Sequence, residues 1–207
     1  MRVLVACEFS GIVREAFNRR GHDSWSCDFL PTEIPSDKHY EGDVFDLIDT
    51  EEWDLMIAHP PCTHLAVSGA LHFHKKKIRQ RRALAFIQDL LDSPIHRIAL
   101  ENPVGVISTK IRKPDQYVQP WMFGHEETKK TGFWLKNLPK LEPTKIMEYK
   151  RDNLTPSGQN KLGPSPTRWM DRSRTYTGLA EAMAEQWGDL QEFDRSRTVS
   201  LTSYFGG

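Results

Sequence analysis

The chain has 207 residues and a mass of 23.9 kDa, enough to enclose a substantial core as one domain. Hydrophobic residues make up 38% and charged residues 27%, a mixture too apolar for a disordered chain. Twenty-eight basic residues balance 28 acidic ones, so no global positive field marks a nucleic-acid binder, and any phosphate-binding surface must be local.

Arg2 to Cys7 is a short β-branched and apolar run that reads as a buried strand, with Glu8-Phe9-Ser10-Gly11 as the turn that follows. Ile12 to Arg20 has helical spacing, with Ile12, Val13, Ala16 and Phe17 on one face and Gly21 as a stop. His22 to Cys27 reads as a second strand ending at Asp28, Pro31 to Pro35 as loop, and Gly42 to Asp46 as another short element. Asp54 to Ala58 is a strand broken by Pro60-Pro61. Lys76 to Leu91 is a helix with Ile78, Ala83, Phe86, Ile87, Leu90 and Leu91 as its apolar members, stopped by Ser93-Pro94. Arg97 to Leu100 is a further strand, ending at Glu101-Asn102-Pro103. This alternation predicts an α/β fold, an open and mostly parallel sheet with helices on both faces. From Lys110 to Thr175 the pattern deteriorates, prolines recur, and Phe133-Trp134-Leu135 is the one clear strand. Thr177 is expected to cap a final helix, Gly178 to Trp187. One domain is expected over residues 1–188, with an irregular, basic, proline-rich insert at about 106–170 and a peripheral tail at 189–207. No apolar run approaches the roughly 18 residues of a membrane span, and the start lacks the pattern of a secretory leader. With three cysteines in no disulfide-like framework, the expected compartment is a reducing cytoplasm.

In a parallel sheet, ligands bind beyond the carboxyl ends of the strands. The unusual polar residues fall there: Glu8 to Gly11 after the first strand, Asp28 after the second, His59-Pro60-Pro61-Cys62 after the next, and Glu101-Asn102-Pro103 after the last. The first turn lacks the full glycine fingerprint of a dinucleotide loop. A cationic nucleoside such as S-adenosylmethionine needs less of a cradle, only an apolar bed and carboxylates, which Phe9, Asp28 and Asp43 can supply. Attack on carbon 6 of a pyrimidine requires a soft thiolate held rigidly, which suits Cys62 behind two prolines if nearby positive charge lowers the sulfur's pKa. A carboxyl such as Glu101 can hydrogen-bond N3 and the 4-amino group of cytosine and favour protonation at N3. Residues 72–82 form the densest basic segment, in which Lys75, Lys76, Lys77, Arg79 and Arg82 are candidate phosphate contacts. His59, His64 and His125 have no spacing like a closed zinc site, so no metal is expected.

Taken in order, these residues resemble the DNA cytosine-5 methyltransferases, and within them short phage- or prophage-type proteins, over about residues 3–188. Pro60-Pro61-Cys62 is similar to the family's Pro-Pro-Cys nucleophile motif, and Glu101-Asn102-Pro103 to its Glu-Asn-Val motif with proline in third place. Arg172-Ser173-Arg174 resembles the latter part of Gln-x-Arg-x-Arg, with Met170 where the glutamine would stand. Phe9-Ser10-Gly11 matches the start of the Phe-x-Gly-x-Gly cofactor loop, with Val13 at its second glycine. The resemblance implies a Rossmann-like methyltransferase sheet and S-adenosylmethionine contacts at Glu8, Phe9, Ser10, Gly11, Ile12, Asp28, Asp43 and Pro60. It also implies catalytic roles for Cys62, Glu101, Arg172 and Arg174, and DNA as the substrate, methylated at carbon 5 of a cytosine brought into the pocket. A phage-type protein would act in the cytoplasm of its bacterial host. The family's target-recognition domain is absent, since Thr175-Tyr176-Thr177 leads straight into the last helix. That absence implies a weak or short sequence preference, or help from a partner or second subunit. Two alternatives stay open: the same chemistry on a free cytosine nucleotide, even with a transferred group other than methyl, and a non-catalytic binder of nucleic acid or cofactor. Amino-group methylation of adenine fits poorly, because His59-Pro60-Pro61-Cys62 lacks the Asp or Asn and the aromatic residue of that chemistry.

Overall fold

The computed structural model describes residues 1–66, 77–149 and 165–190. Seven strands form one sheet in the order β3-β2-β1-β4-β5-β7-β6: β1 Arg2–Ala6, β2 Asp23–Asp28, β3 His39–Glu41, β4 Leu55–Ala58, β5 Arg97–Pro103, β6 Gln116–Val118 and β7 Thr131–Lys136. β1 is central: Leu4 lies beside Trp25 of β2 on one side and Met56 of β4 on the other, both parallel. β7 runs antiparallel to both β5 and β6.

Among the described residues six α-helices accompany the strands: α1 Ile12–Arg19, α2 Val44–Thr50, α3 Lys77–Asp92, α4 Ile107–Lys110, α5 Arg168–Ser173 and α6 Thr177–Gly188. Because successive strand residues point to opposite faces, each central strand feeds two cores. Val3 and Val5 of β1 and Ile57 of β4 pack with Phe17 of α1 and Leu179, Met183 and Trp187 of α6. Leu4, Met56, Ile98 and Trp134 pack on the other face with Ile48 of α2 and Ile87 and Leu90 of α3. Helices therefore cover both faces, as the strand–helix alternation predicts.

Several local expectations are corrected. The Gly42–Asp46 element is a junction: His39–Glu41 forms the edge strand, and Asp43 caps α2 by accepting from the Phe45 amide at 3.1 Å. Thr177 does not cap α6; Tyr176 holds the cap position without a side-chain bond, and the Gly178 amide donates to His125 Nε2 at 3.1 Å. Ile78, expected on the apolar face of α3, is exposed, and Arg14 of α1 is fully buried. The irregular stretch after Lys110 contains β6, which has no periodic signal in its sequence, as well as β7. In the expected peripheral tail, Asp189 pairs with Arg20 at 3.2 Å and Leu190 packs against the core, while residues 191–207 lie outside the described residues. Among the described residues no helix is long and apolar enough to cross a membrane.

Candidate functional site at the strand ends

The strand order reverses between β1 and β4, which opens a crevice beyond their carboxyl ends. Cys7 leaves β1 with a positive φ of 58°, and the His59 amide donates to Ala6 O at 2.9 Å, so the two exits are tied together. Two cavities occupy the crevice. One, about 350 Å³, is lined by Phe9, Ser10, His59, Cys62, Glu101, Lys129, Trp169 and Arg172, among others. The second, about 370 Å³, is lined by Asp43, Val44, Ala83 and Phe86, and shares Cys7, Asp28, Pro60 and Pro61 with the first.

Cys62 and Glu101 therefore open onto one cavity. The Cys62 carbonyl accepts from the Leu65 and Ala66 amides at 2.9 and 3.0 Å, a helical turn that follows the two prolines. Asn102 Nδ2 donates to Pro60 O at 2.8 Å and ties this loop to the end of β5. Burial and then the negative charge of Glu101 push the Cys62 thiol up, while Lys129 and Arg172 pull the other way. The expected lowering of the sulfur's pKa is thus corrected: the two cations are present, but desolvation outweighs them. Burial alone would raise Glu101 too, yet its carboxyl is held below the usual range. The hydrogen bond from His59 is the largest opposing influence, followed by the charge of Lys129. His59 Nδ1 lies 3.0 Å from Glu101 Oε2.

The cofactor-loop residues divide. Phe9 and Ser10 line the cavity. Glu8 also lines it, but its carboxylate is turned into the amino end of α1, accepting from Val13 N at 2.7 Å, Arg14 N at 3.2 Å and Ser10 Oγ at 3.1 Å. Gly11 and Ile12 do not line either cavity. Gly11 adopts a φ of 75°, and a Cβ there would meet the Arg14 guanidinium at 2.8 Å, while Ile12 packs against the core. Asp28 accepts from the Leu30 amide at 3.0 Å, and burial pushes its carboxyl up.

The arginine pair also divides. Arg172 lines the cavity, whereas Arg174 turns away into a two-pronged ion pair with Glu33, at 2.8 and 2.6 Å, and a further pair with Asp171. Lys77, Arg79 and Arg82 are exposed on the first turns of α3, beside the Cys62 loop, where Gln80 Nε2 donates to His64 O at 3.1 Å. Lys75 and Lys76 lie outside the described residues. Sequence reasoning missed Lys129 and Trp169 as lining residues, since both sit in stretches without periodicity, and missed Asn102 as a tie and His59 as the partner of Glu101. The position of His59 directly before the two prolines was the available signal. Among the described residues no three His, Cys, Asp or Glu side chains gather as a metal-holding group.

No family model matches the chain, and no curated protein matches it in sequence. A solved structure matches in fold: a prophage-encoded protein of E. coli, provisionally assigned as a DNA modification methyltransferase, with a TM-score of 0.51 and 16% identity over 72% of this chain and 52% of that one. The present chain thus spans about half the length of that protein. What the likeness establishes is the architecture, a Rossmann-like α/β sheet with helices on both faces.

Proposed function

We propose that the protein is an S-adenosylmethionine-dependent methyltransferase acting on carbon 5 of cytosine in DNA through a covalent adduct at Cys62. The observation that carries this reading is the meeting of Cys62 and Glu101 on one cavity at the switch point of the sheet, a cavity that Phe9 and Ser10 also line. The lining suits the cofactor: two cavities that share Cys7, Asp28, Pro60 and Pro61 offer aromatic residues Phe9 and Phe86 and carboxylates Asp28 and Asp43. A ligand bearing hydroxyl and cationic groups relieves the desolvation that raises Asp28. When bound there, S-adenosylmethionine would supply an electrophilic sulfonium methyl for carbon 5.

Cys62 Sγ bonds to carbon 6, and the displaced electron pair reaches N3 of the ring. The thiol proton ends on N3, where the carboxylate of Glu101 accepts a hydrogen bond from it, so the addition moves one proton and leaves no net charge on the base. After alkylation the carbon 5 proton leaves to solvent, the carbon 5–carbon 6 double bond re-forms, and the sulfur departs and regains the proton from N3. Lys129 and Arg172, which already act on the sulfur, favour the transient thiolate. The exposed Lys77, Arg79 and Arg82, on the helix bonded through Gln80 to the loop that carries the nucleophile, would contact backbone phosphates.

The test is covalent trapping. DNA containing 5-fluorocytosine, incubated with protein and cofactor, should yield an adduct that peptide mapping places at Cys62. Cys62→Ser should lose transfer by about 10³-fold or more while cofactor affinity stays nearly unchanged. Methyl incorporation into DNA but not into dCMP supports the polymer substrate; incorporation into dCMP alone would replace it with a free nucleotide. Unchanged turnover in Cys62→Ser would remove the mechanism.

A further inference from the structure

We infer that His59 is a positioning residue of this site: its Nδ1–H holds Glu101 at the rim of the cavity, so that Glu101 accepts hydrogen bonds at the cytosine edge instead of donating one. The inference rests on the proposed carbon 5 chemistry and assigns a role to a residue outside the motifs that suggested it.

The pairing follows from register. Ala58 of β4 lies beside Leu100 of β5, so the next residue on each strand, His59 and Glu101, emerges side by side at the rim of the cavity. Both backbones are fixed there. The His59 amide is bound to Ala6 O at 2.9 Å, two prolines follow it, and Glu101 is still within β5, beside Phe133 of β7. The imidazole is 7% exposed and Nδ1 sits 3.0 Å from Oε2, a distance at which the carboxylate takes the ring proton as a hydrogen bond. That bond fixes the tautomer, leaving Nε2 with its lone pair in the neutral ring. Nε2 is buried and has no partner among the described residues. A buried, unsatisfied polar atom costs about 1–3 kcal/mol, which an apolar ring of similar size would avoid. Packing alone therefore argues against histidine here, and the bond at Nδ1 supplies the reason for it.

The other groups facing Glu101 do not replace this one. Cys62 lies on the loop after β4, and Lys129 precedes β7, where Thr131 adds a hydroxyl of lesser effect. Arg172 acts on the sulfur through its charge from α5, and Glu8 and Asp28 also line the cavity, with their carboxylates bonded to backbone amides. Arg174 is held by Glu33. Of these groups His59 exerts the largest effect in holding Glu101 as the anion. An ionised Glu101 can take the Cys62 proton and pass it to N3; a protonated Glu101 would begin with its own proton and leave the thiol without an acceptor.

The experiment follows the Glu101 carboxyl by ¹³C NMR titration, its resonance assigned with Glu101→Gln, in the intact chain and in His59→Phe and His59→Asn. His59→Leu serves if the phenylalanine variant does not fold. Loss of the donor should raise the Glu101 titration midpoint by about one pH unit or more, and asparagine, whose amide can stand in for Nδ1–H, should restore it. In the 5-fluorocytosine trapping assay the acid limb of adduct formation should move upward with that midpoint, while the rate at neutral pH, where Glu101 is ionised in both proteins, should fall only about two- to tenfold through lost orientation. A wild-type protein that traps but whose Glu101 midpoint and acid limb do not move in the donor-free variant would overturn the role of His59 and leave the proposed function standing. A wild-type protein that traps no DNA would defeat the function itself, and this inference with it.

Discussion

Cys62 rests as a thiol, because burial and the neighbouring Glu101 charge outweigh Lys129 and Arg172. The sign of the consequence is fixed: the thiolate is the reactive form, and a raised thiol supplies less of it at neutral pH. Alkylation of Cys62 by iodoacetamide, read residue by residue by mass spectrometry, should still be climbing as the pH passes the free-cysteine value of about 8.5. Lys129→Met removes one opposing cation and should slow alkylation at pH 8 by about three- to tenfold, a shift of up to one pH unit. A plateau reached by pH 7 in the unmodified chain would contradict the account. Cys27, pushed up to about 12 by burial, and Cys7, pushed higher still, should stay nearly silent over the same range.

Among the elements, the loop that carries Cys62 depends on a close backbone approach. A Cβ on Gly105 would meet the Leu65 carbonyl oxygen at 2.1 Å, within an antiparallel bridge between Ala66 and Gly105. Gly105→Ala should displace the Cys62–Ala66 turn and slow adduct formation by about 10-fold or more without removing any reacting group. The α5 helix depends on a different tie. Buried Arg14 binds Thr32 Oγ1 at 3.1 Å and Ile34 O at 2.7 Å, which sets the loop that presents Glu33 to Arg174. This tie holds Trp169, Arg172 and Ser173 over the cavity. The hydrogen bonds from Arg174 keep Glu33 below the usual carboxylate range, so the latch is intact at neutral pH and opens only as the pH falls through that lowered value. Arg174→Met should leave global stability within about 1 kcal/mol, since the pair is about one-third exposed, yet it should red-shift Trp169 emission and weaken cofactor binding. Unchanged Trp169 emission and affinity would show that the ion pair holds nothing in place.

For the molecule as a whole, the two cores are coupled through the sheet, and Trp134 of β7 is among the largest fully buried side chains. Its ring fills the α2–α3 side, and its Nε1 donates to Arg112 O at 2.7 Å. Trp134→Ala should cost about 3–5 kcal/mol in urea unfolding, through cavity formation and the orphaned carbonyl. A loss under about 1 kcal/mol would mean that β7 is not integral to the core.

Short apolar runs make β1, β4 and β5 legible in the sequence, and apolar spacing does the same for α1, α3 and α6, although Arg14 and Ile78 depart from the faces that spacing predicts. The sequence also located the polar strand ends, because residues just beyond a buried strand must emerge at the rim of the sheet. Which of those ends meet is set by the folded sheet. The antiparallel place of β7 between β5 and β6 sets Lys129 against Glu101, and β4–β5 register sets His59 beside it. Likewise, the pairing of Glu33 with Arg174 spans 141 positions and that of His59 with Glu101 spans 42. Periodicity records how one element is buried; it carries no information about the neighbour across the sheet. Partners are chosen by strand order and loop path, which exist only once the chain has folded.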